Sequence, residues 1–427
     1  MKYNVLILGS GGREHAMAWV FSKDKKVDKV FCAPGNGGTE NIAQNIKINL
    51  VNHQEVIRVA QNNNIDLTVV GPEVPLSEGI VDSFKKENMR IFGPDSYGAQ
   101  LESSKLFARD LMAENGIPQP LYYSCNTRND IESLKKILGL PLVLKADGLA
   151  AGKGVIVCHT EKEYRQALKD VFDKQKFGRA SNRISLERCL IGEELSVFAV
   201  CDGKDFIVLN SAQDHKRAFD DDKGPNTGGM GAYSPTPLSN QNLIKCVEKE
   251  IIEPTLNAMI KRGHPYVGFL YIGLMIVDNK PYVIEFNVRM GDPETQAVFP
   301  LLESSIFDLL WNASNGKLKN TKIKNSDQTA VAIVLAAEGY PSDYSKGLKI
   351  IGLESLDKAL IFHAGTEKRG HEYFSTGGRV LNVVGLGKTL KTALKDAYGI
   401  VDKINFEGKF YRKDIGFRGL KVSKKEV

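Results

Sequence analysis

The stretch from Val283 to Thr295 constrains the fold of this chain more than any other. It begins with apolar and polar side chains in alternation, which is typical of a strand with one face in a core. The side chains predicted to point into that core are Ile284, Phe286 and Val288. The side chains predicted to line the opposite face are Glu285, Asn287 and Arg289. After this strand, Asp292 and Pro293 predict a helix N-cap followed by proline at the first helical position.

The polar face of this strand suits a divalent metal held beside a polyphosphate. Mg²⁺ prefers oxygen ligands and usually takes one or two from protein, while phosphates and water supply the rest. Glu285 and Asn287 offer such oxygens, and the planar fork of Arg289 fits a phosphate or a carboxylate. Taken alone, these residues leave open a half-exposed strand that carries only a salt bridge.

Length and composition narrow the class of protein. A chain of 427 residues predicts two to four domains, and 42% hydrophobic with 25% charged residues is typical of a soluble globular protein. The net charge of +6 is small and the basic residues are mixed with acids, so no nucleic-acid partner is expected. No apolar run exceeds strand length and the first residues predict a strand, so neither a membrane span nor a signal peptide is expected. The 6 cysteines show no CxxC pair, which predicts reduced thiols and a cytoplasmic protein.

The first hundred residues alternate between strand and helix patterns, which predicts a parallel, doubly wound sheet. Strands are predicted at Val5–Gly9, Val30–Ala33, Ile46–Ile48, Asp66–Gly71 and Ile91–Phe92. Helices are predicted at Arg13–Phe21, Gln54–Asn62 and Leu76–Glu87. Glycines in the loop from Gly9 to His15 let backbone N–H groups approach an anion at a helix N-terminus.

A dinucleotide-binding domain is the rival interpretation of this region. Its fingerprint requires a third glycine or alanine and an acid at the end of the second strand. Glu14 occupies the third position and the second strand ends Phe31–Gly35 without an acid, so a nicotinamide dehydrogenase is disfavoured. The turns Pro34–Thr39 and Gly71–Glu73 favour a small phosphorylated substrate at the strand ends, although tight turns alone would also explain their glycines.

The middle of the chain carries a second glycine-rich loop, from Lys145 to Gly154. It lies within a predicted compact α+β unit, residues 121–190, which follows a helix expected to be capped by Ser103. Gly154 stands where a Walker A motif needs Ser or Thr, and no helix follows. The loop therefore predicts a phosphate-covering hairpin with Lys145 and Lys153 as cations, or else a plain glycine-rich hairpin.

Two further stretches are candidates for binding. The linker after Glu187 can read an adenine edge through its backbone, and a following acid can accept from ribose hydroxyls. A solvated acidic turn is the preferred interpretation of Glu193. Residues 206–237 are predicted to be mostly loop, and Asp214-His215-Lys216-Arg217 in that loop favours function. No second histidine stands at metal-ligand spacing from His215. Beyond about Lys324 a small α+β unit is predicted to pack and cover rather than catalyse.

Together these motifs resemble the ATP-grasp ligases and, within them, the phosphoribosylamine–glycine ligase family. The resemblance spans almost the whole chain and includes GSGGREHAMAW, APGNGGT, LKADGLAAGKGVIV, SAQDHKR, DKGPNTGGMGAYSP, IEFNVRMGDPETQ and the terminal YRKDIGFR. It implies that ATP, glycine and 5-phosphoribosylamine give glycinamide ribonucleotide, ADP and phosphate through a glycyl phosphate, in purine biosynthesis. Such catalysis rests on positioning and on neutralising phosphate charge.

The resemblance also implies roles for individual residues. Mg²⁺ or Mn²⁺ would be held by Glu285 and Asn287. The catalytic residues would be Arg289, facing the transferring phosphate or the glycine carboxylate, with Asp214 and Lys216. ATP would be bound by Lys105, Lys145, Gly148, Gly152, Lys153, Glu187, Leu190 and Glu194. The phosphoribosyl group would be bound by Gly11, Gly12, Asn36, Gly38, Thr39 and Glu73.

The implied architecture has an N-terminal doubly wound domain, an α+β ATP-grasp core with a mobile lid, and a small C-terminal α+β domain. The corresponding boundaries are 1–102, then 103–120 with 191–325, then 121–190 for the lid, and 326–427. One departure stands out, because many ATP-grasp enzymes carry another acid on the strand before the metal strand, and here that strand, from Gly268 to Val277, has none. A monomer is expected. A carboxylase, a ligase of another acid and a non-enzymatic nucleotide-binding protein remain the alternatives.

Overall fold

The computed structural model describes residues 2–149 and 154–422. The N-terminal strands are β1 Tyr3–Gly9, β2 Val27–Pro34, β3 Gln44–Asn45, β4 Leu67–Val70 and β5 Ile91–Phe92. The helices between them are α1 Gly12–Ser22, α2 His53–Asn62, α3 Glu73–Ser77 and α4 Ile80–Lys86. The strands form a parallel sheet in the order β3-β2-β1-β4-β5. The predicted doubly wound parallel sheet is confirmed.

Two predicted elements in this region differ from the structure. The single helix expected over 76–87 is split into α3 and α4, because Gly79 between them has a left-handed backbone with φ of +83°. The strand expected at Ile46–Ile48 is wrong, since β3 ends at Asn45. Ile46 and Ile48 instead pack as partly buried side chains against the core.

The next part of the chain forms a four-stranded antiparallel unit with its own core. It follows helices α5 Gln100–Ser103 and α6 Lys105–Glu114, and α6 is capped by Ser104, not by the predicted Ser103. Its strands are β6 Tyr122–Cys125, β7 Leu142–Ala146, β8 Val155–Cys158 and β9 Ile184–Arg188, and its helices are α7 Arg128–Leu138 and α8 Glu161–Leu168. The strand order is β6-β9-β7-β8. Thr160 caps α8 through a capping box, as predicted.

The central elements follow in chain order. The strands are β10 Glu193–Asp202, β11 Phe206–Val208, β12 Gln213–Asp214, β13 Arg217–Phe219, β14 Lys223–Asn226, β15 Gly231–Ser234, β16 Val267–Val277 and β17 Lys280–Asn287. The helices are α9 Gln241–Val247 and α10 Glu253–Lys261, which a π-helical turn joins just before Pro254. An antiparallel sheet runs in the order β11-β10-β16-β17. The region predicted to be mostly loop therefore contains several short strands.

The remaining elements complete the molecule. The helices are α11 Glu294–Val298, α12 Ile306–Ser314, α13 Leu390–Val401 and α14 Phe417–Val422. The strands are β18 Thr329–Ala337, β19 Lys349–Ile350, β20 Leu360–His363, β21 Thr366–Arg369, β22 Glu372–Ser375, β23 Arg379–Gly387 and β24 Lys409–Phe410. The larger sheet runs β12-β15-β18-β23-β20, so two central strands extend a C-terminal sheet.

Two properties of the described residues bear on the surroundings of the protein. All the cysteines are free thiols, and Cys32, Cys125, Cys158 and Cys201 are buried. None of the described helices is both long and apolar enough to cross a membrane.

Candidate functional site

The hairpin of β16 and β17 contains a β-bulge at the predicted site. Gly273 lies opposite Glu285, but Leu274 lies opposite Val283, so Ile284 is an extra residue in β17. Val283 is fully buried, whereas Ile284 is only half-buried. The prediction that Ile284 points into the core is therefore wrong, because the bulge gives that position to its neighbour.

Past the bulge, the predicted alternation is present. Phe286 and Val288 are buried, while Glu285 and Asn287 are half-buried on the opposite face. The bulge also frees the carbonyl of Ile284, which accepts hydrogen bonds from Lys145 Nζ at 2.7 Å and from Arg109 Nη2 at 2.8 Å. The four-stranded unit and α6 are thus joined to β17 beside its polar face.

Glu187 lies at the centre of a buried ion cluster at this junction. Arg109 donates to both of its oxygens, from Nε at 2.9 Å and Nη2 at 2.7 Å, and Lys145 Nζ lies 3.0 Å from Oε2. Ser185 Oγ donates a further bond at 2.9 Å. Burial would raise the pKa of Glu187, but Arg109 and Lys145 outweigh it and bring the pKa to about 2. Glu187 therefore holds Lys145 in place as a buried counterion.

We expect Glu187→Gln to lower the free energy of unfolding by about 3–5 kcal/mol, because it leaves two buried cations without their counterion. Urea denaturation measures this change. The matched control is Glu161→Gln on α8, which removes the exposed partner of Lys135 and is expected to change stability little. Equal losses in both variants would contradict the assigned role of the buried cluster.

Glu285 faces cations from three separate segments. Lys216 Nζ lies 3.5 Å from Glu285 Oε1 and 3.0 Å from Glu194 Oε2. Burial alone would raise the pKa of Glu285, but Lys216, Lys105 and Lys145 bring it down to about 2. Glu285 is therefore ionised at neutral pH, with several ammonium groups around it that match the charge of a polyphosphate.

Asp214 is a buried residue, only 5% exposed, beside Lys216 and several acids. Burial, together with the carboxylates of Glu294, Glu194 and Glu285, raises the pKa of Asp214 to about 7 against the opposing charge of Lys216. Such a group is suited to hold an ammonium or to accept a proton near neutral pH.

Glu294, which the sequence analysis did not select, lies in the same cluster of acids. Its Oε1 accepts from Tyr271 Oη at 2.9 Å, and Tyr271 Oη also bonds to Ser196 Oγ at 2.9 Å. Burial raises the pKa of Glu294. Asp214 therefore has a second protonatable acid near it.

Arg289, just after β17, connects that strand to helices α3 and α5. Its guanidinium bonds to Glu102 at 2.8 Å, to Glu73 at 3.3 Å and, more weakly, to Asn287 Oδ1 at 3.5 Å. Glu102 also accepts from the backbone N–H of Val288 at 2.8 Å. The structure thus brings the predicted residues Glu73, Asn287 and Arg289 together, and shows that two carboxylates hold the arginine in place.

The loop after β17 differs from the prediction. Asp292 is not an N-cap, because α11 begins after Pro293 without a side-chain cap. The Asp292 carboxylate instead accepts from Gln296 at 2.8 Å and from the backbone of Arg13 at 3.2 Å, and pairs with Arg379 at 3.3 Å. Arg379 belongs to β23, so the C-terminal unit packs against this loop through a charged side chain. That this unit packs and covers rather than catalyses stays a prediction.

The glycine-rich loop after β1 is closed by a side chain. Glu14 accepts from the N–H of Gly11 at 2.6 Å, and its carboxyl fills the space that a Cβ at Gly9 or Gly71 would need. This packing explains why an acid, Glu14, occupies the third position of the dinucleotide-binding fingerprint. A Cβ at Gly12 would collide with Asn382 and Gln296, so this glycine permits close packing against the C-terminal sheet.

The predicted phosphoribosyl residues after β2 are mostly used to build their own turn. Asn36 Oδ1 accepts from the N–H of Gly38 at 2.9 Å and of Thr39 at 3.0 Å, and its amide donates to the carbonyl of His363 at 2.8 Å. Asn36 and Thr39 are buried. Their role in substrate binding stays a prediction. In the structure their side chains hold the backbone of the turn in position.

The predicted ATP-binding residues lie between the four-stranded unit and the core. Lys105 begins α6, and Asp147, at the start of the glycine loop, is fixed to that helix by Ser104 Oγ at 2.9 Å. Gly148 follows with φ of +155°. Leu190 lies in the linker from β9 to β10, and Glu194 is in β10 beside Lys216. Gly152 and Lys153 lie outside the described residues.

Several residues of this site were missed by the sequence analysis. Arg109 and Glu102 hold the predicted site residues Glu187 and Arg289 in place. Glu294 bonds to Tyr271 near Asp214, and Arg379 donates to the carbonyl of Asp292. The one local signal was Arg109, an arginine on the buried face of α6 between Leu106 and Met112. An arginine in such a position implies a buried anion.

The donor set on β17 fits a hard divalent cation. Glu285 supplies an ionised carboxylate and Asn287 an amide oxygen on the same face, which is the one-or-two-ligand set that Mg²⁺ takes beside phosphates. Among the described residues no group of three or more His, Cys, Asp or Glu side chains could hold a metal by itself. The fit therefore requires phosphate oxygens and water as the other ligands.

The hairpin of β16 and β17 carries oxygen ligands that suit a metal, and the four-stranded unit beside it carries Lys145. Together with the parallel N-terminal sheet, this arrangement is typical of an ATP-grasp protein. Three family models match the chain: the N domain of phosphoribosylglycinamide synthetase over residues 3–102, its ATP-grasp domain over 103–295 and its C domain over 330–418. The chain belongs to the phosphoribosylglycinamide synthetase family.

Individual relatives agree with this membership. A phosphoribosylamine–glycine ligase of Halalkalibacterium halodurans is 44% identical over 98% of this chain and 97% of its own length. One of Ralstonia nicotianae is 46% identical over 98% of this chain and 99% of its own. The crystal structure of the Thermotoga maritima phosphoribosylamine–glycine ligase has a TM-score of 0.85 at 34% identity, and covers 96% of this chain and 99% of its own.

Proposed function

We propose that this protein ligates glycine to 5-phosphoribosylamine with conversion of ATP to ADP and phosphate, as a carbon–nitrogen ligase of purine biosynthesis. The observation that carries the proposal is the convergence of Lys105, Lys145 and Lys216 on the ionised Glu285. This arrangement serves phosphoryl transfer, which is catalysed by positioning and charge neutralisation.

The residues divide the work as follows. The lysines neutralise the phosphates of ATP while its γ-phosphoryl group is transferred to the glycine carboxylate, which gives glycyl phosphate and ADP. Glu285 and Asn287 would hold Mg²⁺ or Mn²⁺, and the bound cation supplies further charge neutralisation on phosphate oxygens. Arg289 faces the glycine carboxylate or the transferring phosphate, and the linker from Glu187 to Leu190 lies along the adenine, with Glu194 at the ribose.

The second step needs a proton acceptor. The amine of phosphoribosylamine attacks the glycyl carbonyl carbon, phosphate leaves, and the nitrogen must lose one proton. Asp214 accepts this proton, because its carboxylate is buried beside other acids and has a pKa of about 7. The turn from Asn36 to Thr39, with Gly11, Gly12 and Glu73, cradles the phosphoribosyl group.

The proposal extends to the organisation and setting of the protein. The units are 1–102, 103–120 with 191–325, a mobile lid of 121–190, and 326–427. The protein acts in the cytoplasm as a monomer, without a nucleic-acid or membrane partner. The free thiols of the described residues support a reducing compartment.

A substrate-omission assay tests the activity. We expect ADP release with Mg·ATP only when both glycine and phosphoribosylamine are present, and mass spectrometry should show one glycinamide ribonucleotide for each ADP. The controls are mixtures that lack glycine, mixtures that lack phosphoribosylamine, and mixtures that contain bicarbonate in place of glycine. Turnover with bicarbonate, or none with glycine, would replace the proposal with a carboxylase or a ligase of another acid.

A further inference from the structure

Residues 412–418, which we name the C-terminal clamp, lie across the segment Asp214–Arg217. Arg418 Nη1 donates to the carbonyl of Asp214 at 3.1 Å, and Arg412 Nη1 donates to the carbonyl of Arg217 at 3.1 Å. Both arginines also bind Asp222, at 2.6 Å and 2.9 Å. The two ends of the segment are therefore held by one ion-paired unit.

His215 fixes the middle of the same segment. Its Nε2 accepts from the backbone N–H of Gly416 at 2.9 Å, and its ring lies 5.5 Å from the ring of Phe417. Burial lowers the pKa of His215 to about 3, and the charges of Arg418 and Arg412 contribute to this. The imidazole is thus a neutral, buried spacer that transmits the position of the clamp to the backbone between Asp214 and Lys216.

The opposite side of the segment is held by ordinary backbone pairing. His215 N donates to Gly231 O at 2.9 Å, and Met230 N donates to His215 O at 2.8 Å. Thr227 N donates to Lys216 O at 2.8 Å. Thr227 Oγ1 also donates to Lys216 O at 2.9 Å, and Arg217 Nη1 donates to Gly224 O at 2.8 Å. Asp214 and Lys216 therefore lie on a short segment between β15 and the clamp, and the clamp's arginines donate to the backbone carbonyls at both of its ends.

We infer that the C-terminal clamp positions Asp214 and Lys216 for the ligation, with Arg418 as its main positioning residue. The inference rests on the proposed function of these two residues. Because a displacement of about 1 Å costs reactions of this kind on the order of a hundredfold, a backbone anchor at Asp214 controls the rate without touching substrate.

The test is a double-mutant cycle with Arg418→Met and Asp214→Asn. Arg418→Met keeps the apolar stem and removes both hydrogen bonds, so kcat should fall about tenfold or more while the KM for ATP stays unchanged. In the Asp214→Asn background the same substitution should cause a clearly smaller loss, because Lys216 is then the only one of the two groups left for it to position. Arg418→Lys, which keeps one donor, should restore part of the rate. The control is Arg369→Met on the exposed hairpin of β21 and β22.

Amide hydrogen exchange gives a readout that does not depend on the reaction. In Arg418→Met, the amides of residues 214–217 should lose protection while those of β10 and β16 keep it. Unchanged protection or an equal rate loss in both backgrounds would overturn the inference and leave the proposed function intact. A full rate for Asp214→Asn would instead refute the role of Asp214, and the inference with it.

Discussion

Replacing Glu285 with glutamine is expected to lower kcat by about a hundredfold or more, because it removes the ionised carboxylate that we propose as a metal ligand beside the ATP phosphates. The variant keeps the volume of the side chain. Lys216 retains its partner Glu194 and Lys145 retains its partner Glu187, each at 3.0 Å. The free energy of unfolding should therefore fall less than in Glu187→Gln, and the main loss should be one of activity.

ADP release across a range of Mg²⁺ concentrations measures this effect. Glu372→Gln is the matched control, because that carboxylate pairs with Lys349 on the surface, away from the site. A Glu285→Gln protein that works at nearly the normal rate at every Mg²⁺ concentration would show that β17 does not hold the metal. A loss of rate with a large drop in stability would assign Glu285 a structural role instead.

The face of β17 was predictable because strand periodicity is a local property. Glu285 and Asn287 were placed on one face, opposite Phe286 and Val288, from their spacing alone. Ile284 was misplaced because a bulge arises from pairing with β16, and the register of that partner cannot be seen in β17 itself. The cap of α8 was predictable for the same reason, because Thr160 and the turn that it caps are adjacent in the sequence.

The groups that hold the site together come from distant parts of the chain. Arg109 is 78 residues from Glu187, Glu102 is 187 residues from Arg289, and Arg418 is 204 residues from Asp214. A local sequence pattern cannot predict such pairings, because they depend on how the folded units pack against one another. The resemblance to a family indicated which residues act, whereas the structure shows what fixes them.

Asp292 illustrates why a correct local rule can fail. Aspartate followed by proline is a good helix start, but here a guanidinium from one unit and a backbone N–H from another bind the carboxylate. Arg379 pairs with it and the backbone of Arg13 donates to it, so its oxygens join the N-terminal and C-terminal units. Tertiary contacts with a charged group outweigh a cap whose contribution is about 1 kcal/mol.

Asp214→Asn should lower kcat by about a hundredfold to ten-thousandfold, because an amide cannot accept the proton that the attacking amine loses. The groups that face Asp214 are Lys216, Glu294, Glu194, Glu285, Tyr271 and Arg418. Removing its charge relieves repulsion among the carboxylates, so the free energy of unfolding should not fall. The loss is again expected in the rate alone.

The pH dependence of kcat/KM distinguishes a proton acceptor from a group that only orients the amine. A base whose pKa is about 7 is protonated and inactive below that pH, so the wild-type kcat/KM for phosphoribosylamine should rise with pH through about 7 and then level off. Asp214→Asn should lack this rise, whereas the exposed control Asp327→Asn should keep it. If Asp214→Asn is slow but retains the same rise, the proton is taken by another group, and Glu294 becomes the candidate because it is the neighbouring buried acid with a raised pKa.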